Sequence, residues 1–130
     1  MGEQAPGLAR LHQVLICVED VRRAARFYRD ALGLRLLFEA PPTLAFFDCG
    51  GVRLMLAPAE GRLRPGGTVL YFGVDDIHHM RRTLAARGVS FRGEPHRIAT
   101  LADREVWLAE FADGEGNTFA LISEPPLRAA

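Results

Sequence analysis

Lysine does not occur anywhere in the 130 residues: all 16 basic side chains are arginine, and 16 acidic ones bring the net charge to zero. A chain with no excess of positive charge lacks the footprint that phosphate backbones select, so nucleic acid is not expected as a partner. Cysteine is nearly as scarce. Cys17 and Cys49 are the only two, each inside a run that reads as strand, which suits buried thiols better than a disulfide framework. No apolar run is long enough to span a bilayer, and residues 1–11 lack the charged start and apolar stretch of a secretory signal. A cytoplasmic location follows as the expectation. What remains, 48% hydrophobic and 25% charged, is the make-up of one soluble globular domain.

The pattern of apolar residues repeats. Residues 12–18 are rich in β-branched and apolar types and end at Glu19-Asp20, where the aspartate can cap a helix. Val21, Ala24, Ala25, Tyr28, Ala31 and Leu32 then recur at helical spacing, with Arg22, Arg23, Arg26 and Arg29 on the wet side. Gly33 supplies the left-handed stop. Three strand-like runs follow at 34–39, 44–49 and 52–57, the last two joined by Gly50-Gly51, a hairpin signal. The second half begins again with a strand at 68–74, the capping step Asp75-Asp76, a helix face of Ile77, Met80 and Leu84, and the stop Gly88. Strands at 89–92, 104–111 and 117–123 complete it, with 113–117 turning between the last two. Module one spans 11–58, a Pro/Gly-rich linker 59–67, and module two 68–124. The expectation is an α+β domain of two tandem βαβββ modules, their mixed sheet curled around a cavity and the helices outside.

The phrase VEDVRRAARFYRDALGL (18–34) resembles the opening signature of the vicinal oxygen chelate superfamily, which holds glyoxalase I, bleomycin-resistance proteins and extradiol dioxygenases. FADGEGNTFAL (111–121) resembles the closing turn and final strand of the same proteins, with Gly114 and Glu115 where Pro and Asp are usual. The resemblance covers residues 11–124. It implies four metal-ligand positions, one in each module's first strand and one in each module's last, which here hold Gln13, Met55, Val69 and Ala120. Only Gln13 offers the oxygen donor that a hard or borderline divalent ion needs. No metal and no other cofactor is therefore expected.

Strand alternation puts Leu15 and Cys17 on the face of Gln13, and Tyr71 on that of Val69. Gln13, Leu15, Cys17, Met55, Tyr71 and the single tryptophan, Trp107, are the candidate ligand-binding residues, suited to an apolar or aromatic molecule. His96, on a loop before the strand that carries Glu105 and Trp107, is paired with Glu105 as a candidate acid and base. Three readings stay open: a metal-free binding protein, a metal-independent isomerase or lyase using His96 and Glu105, and a metal-dependent lyase or dioxygenase with rearranged ligands. The resemblance also implies a homodimer, which the open sheet edges favour.

Overall fold

The computed structural model describes residues 7–40, 43–61 and 63–127; residues 1–6 and Arg62 of the linker, both read above, lie outside the described residues. Strand β1, Gln13–Val18, runs into Asp20, whose extended backbone (φ −134°) lets its side chain accept from the Arg23 N–H at 3.1 Å. That cap starts helix α1, Val21–Arg26. The helix does not end in an ordinary turn. Residues Phe27–Ala31 wind as a π-helical turn, in which the Leu32 N–H reaches back to the Phe27 carbonyl at 3.1 Å. Gly33, at φ +77°, then turns the chain out of the helix. Strands β2 (Arg35–Ala40), β3 (Leu44–Cys49) and β4 (Val52–Pro58) follow, and the sheet order is β1-β4-β3-β2.

Module two copies this plan. Strand β5 (Leu70–Gly73) leads to Asp76, which caps helix α2 (Ile77–Ala86) through the His79 N–H at 3.0 Å. Strands β8 (Glu105–Ala112) and β9 (Thr118–Ser123) stand beside β5 in the order β5-β9-β8. The outer edge of β8 is shared by two short strands, β6 (Ser90–Phe91) and β7 (His96–Thr100). β7 is a correction, because His96 was expected on a loop. It is instead the first residue of a strand, opposite Leu108. The strands thus form two hydrogen-bonded sheets, one per module, and neither closes into a barrel.

Each sheet has a face against a helix and a face that is open. Ile16, Val18, Leu54, Leu56, Ala45 and Phe47 of the first sheet pack on Val21, Ala24 and Ala25 of α1. Leu70, Phe72, Ala109, Phe111, Phe119 and Leu121 of the second pack toward Ile77 and Leu84 of α2. Tyr28 joins the two, its ring centroid 5.9 Å from Phe47 and 6.1 Å from Phe119. One core therefore runs through both modules. Among the described residues no helix is long and apolar enough to cross a membrane.

The turn 113–117 fastens module two onto the start of α1. Glu115, 2% exposed, accepts from the backbone N–H groups of Glu19 and Asp20, each at 2.9 Å, and from Arg23 Nε at 2.5 Å. Tyr28 donates to Asp113 at 2.8 Å, and Asn117 Nδ2 donates to the Cys17 carbonyl at 2.9 Å. Asn117 Oδ1 accepts from the Gly66 N–H at 2.7 Å, which ties in the linker as well. Every buried side-chain nitrogen and oxygen of this turn has a hydrogen-bond partner.

Candidate functional site

On the open face of the first sheet, register aligns Gln13 with Arg53, Leu15 with Met55 and Cys17 with Ala57, and carries Met55 on to Phe46 and Arg53 on to Asp48. Four of the six expected ligand-binding residues, Gln13, Leu15, Cys17 and Met55, thus meet on one surface. Gln13 holds them together: its Nε2 points at Met55 Sδ (3.9 Å), and its Oε1 accepts from Arg53 Nε at 2.6 Å. Beside them Phe38 of β2 stacks on Phe46, with ring centroids 4.4 Å apart and planes tilted by 21°. The Arg53 guanidinium lies 5.4 Å above the same Phe46 ring. Leu15 is 36% and Phe38 48% exposed, so this surface shows apolar side chains to solvent beside the polar Gln13 and Arg53.

Cys17 and Leu15 also border a cleft of about 220 Å³ where the first strands of the two modules come close, bounded by Leu70, Phe119 and the linker residues Arg64 and Gly67. Burial pushes the Cys17 thiol up, and the positive charge of Arg64 only partly offsets that. The thiol is a wall of the cleft, protonated at neutral pH.

The open face of the second sheet carries Tyr71, 55% exposed, in line with Ala120 and Glu110. His96 lies on this face too, through its partner Leu108. Trp107 and Glu105 do not. Their register sets them on the opposite face, against the helix layer, where the Trp107 ring meets His78 of α2 edge-on at 5.5 Å. The Trp107 indole N–H donates to Glu105 at 3.0 Å, and Arg97 donates to its other oxygen at 3.2 Å. The indole bond first, and Arg97 after it, hold the Glu105 carboxyl below the usual carboxylate range. His96 and Glu105 therefore stand on opposite faces of one sheet. Glu105, Trp107 and Ala109 share a single face, as strand alternation requires, but α2 covers that face. Alternation gives the partition of residues between two faces, and only the packing of the helix says which one is open.

Phe38, Phe46, Arg53 and Glu110 were not singled out from the sequence. Arg53 was within reach, since it stands two residues before Met55 and must share its face. Glu110 needs the β8–β9 register, which no local signal carries.

The described residues contain no group of three or more His, Cys, Asp or Glu side chains arranged to hold a metal ion. The family described as Glyoxalase/Bleomycin resistance protein/Dioxygenase superfamily matches residues 10–121. An uncharacterized protein of Bacillus subtilis (strain 168), YraH, is 27% identical over 125 residues, covering 83% of this chain and 93% of its own. A solved member of the same superfamily from Sphaerobacter thermophilus is 26% identical with a TM-score of 0.75, covering 90% of this chain and 98% of its own. TnmS3, an antibiotic binding protein from Streptomyces sp. CB03234, shares the fold with a TM-score of 0.74 at 21% identity, over 92% of this chain and 99% of its own.

Proposed function

The chain belongs to the Glyoxalase/Bleomycin resistance protein/Dioxygenase superfamily, and on that premise we propose that it is a binding protein for a small apolar or aromatic molecule held on the open sheet faces. The observation that carries this is the outward display of Leu15, Phe38 and Tyr71, 36 to 55% exposed, on the faces that no helix covers among the described residues. Exposed apolar side chains on uncovered sheet faces mark an interaction site. The fold is also one on which TnmS3, an antibiotic binding protein, is built.

The donor set does not fit the divalent metal that the resemblance implies. Gln13 Oε1 is already taken by the Arg53 guanidinium at 2.6 Å, and that positive charge opposes a cation at the same oxygen. Met55, Val69 and Ala120 offer no hard donor. The binding reading accordingly uses no metal. A second copy of the chain, laid against the open faces, would complete the pocket and remove their apolar surface from water. A cytoplasmic location belongs to the same proposal and is checked by cell fractionation.

The test is titration of the ¹⁵N-labelled protein with a neutral aromatic probe, 2-naphthamide. Saturable amide shifts along β1, β3, β4 and β5 are expected. Shifts confined to the helix side, or none at millimolar probe, would overturn the reading.

A second reading, a metal-independent isomerase or lyase, draws on one observation: His96 shares its face with Glu110, which stands diagonally across on the adjacent strand β8. The carboxylate partner of His96 is then Glu110 in place of Glu105. Any turnover found for a candidate substrate should vanish in His96→Ala while binding persists, and unchanged turnover would dismiss this reading.

A further inference from the structure

Arg53 has only part of its hydrogen-bonding capacity engaged. Its Nε donates to Gln13 Oε1, while among the described residues its two terminal nitrogens make no hydrogen bond and the side chain enters no ion pair. A guanidinium carries five N–H donors in a fixed planar fork, so at least four here await an acceptor. Its position is set from two sides: the Gln13 amide fixes the Nε edge, and the Phe46 ring lies 5.4 Å beneath the guanidinium carbon. The other charged groups on the face are Asp48, directly across from Arg53, and Arg35, directly across from Asp48. Asp48 accepts from the Gly51 N–H at 3.3 Å. With one carboxylate set between two guanidinium groups, the face keeps a positive charge in excess.

Next to this fork lies the stacked pair Phe38 and Phe46, with Phe38 half exposed as the outer layer. A flat ring laid across the outward edges of that pair, on the sheet face where Arg53 also stands, could turn a substituent on its rim toward the terminal nitrogens of Arg53. From this juxtaposition we infer that the ligand is a planar aromatic molecule bearing an anionic group, a carboxylate or a sulfonate, and that Arg53 is the residue that selects for the charge. The inference rests on the binding function proposed above and adds a charge class to it.

The experiment compares two probes of one shape, 2-naphthoate and 2-naphthamide, by calorimetric titration at low and at high salt. The anion should bind about tenfold more tightly or better, as expected of charge-assisted bidentate hydrogen bonds, and added salt should shrink the difference. In Arg53→Met the preference should disappear, with the two probes binding alike. Gln13→Glu supplies Arg53 with an internal carboxylate and should abolish the preference too, which gives a second variant should the first not fold. Equal affinity of the wild-type protein for both probes overturns the inference and leaves the binding function standing. A preference that survives both substitutions overturns it as well. Binding of neither probe removes the binding function and the inference together.

Discussion

Glu115 is a carboxylate kept charged in the interior by three donors. Burial alone would raise its pKa, but Arg23 and the Asp20 and Glu19 N–H groups together outweigh that and bring it below the usual glutamate range. A carboxyl depressed in the folded state stabilises the protein above its unfolded value, near 4.3, and the benefit is lost as pH falls through the folded value. The urea midpoint should therefore drop as pH is lowered below about 4, and the slope should flatten in Glu115→Gln. Glu115→Ala, which strands two backbone donors, is expected to cost about 2–3 kcal/mol by urea unfolding at pH 7. Tyr28→Phe removes the hydroxyl bond to buried Asp113 and should cost about 1–2 kcal/mol by the same measurement. Neither role was visible in the sequence. Glu115 stood out only as a departure within a familiar turn, since its partners lie more than 90 residues away.

The elements that could be read were those with their signals side by side. Asp20 and Asp76 cap the helices they precede, and Gly33 and Gly88 leave them at φ +77° and +96°. β7 escaped because its pairing with β8 is broken by a bulge between Arg97 and Ala99, and four of its five residues are exposed, so no alternation marks it. The face carrying Trp107 was misjudged for a different reason, the placement of α2. At this scale the joint between linker and closing turn is the sensitive point. Gly116 sits at φ +93°, and an added Cβ would come within 2.9 Å of Pro65. Gly116→Ala should lower the melting temperature, by a destabilisation of about 1–3 kcal/mol, because backbone strain and contact act together. Gly51→Ala meets nothing within 4 Å although its φ is +91°, and it separates strain from clash.

At the scale of the molecule, two halves with one plan were legible because each carries the same capping step, helix and stop glycine. How the halves meet was not legible, since that depends on which faces stay bare. The proposed homodimer predicts twice the chain mass by sedimentation equilibrium, and Leu15→Arg, a charge set on the open face, should shift the protein toward monomer. A monomer in the wild-type protein would dismiss the shared pocket and leave binding by a single chain.

The fastening of module two onto α1 bears also on how the chain reaches this state. The backbone groups at the start of α1 wait for a carboxylate 95 and 96 residues further on, and the Cys17 carbonyl waits for an amide 100 residues away. Contacts this distant demand that a long loop close before they return any stability. On a ribosome, the first helix emerges well before the residue that completes its cap, so module one should stay marginal until nearly the whole domain has been synthesised. The seam between the modules should thus form late in folding, and mutations there should accelerate unfolding far more than they slow refolding.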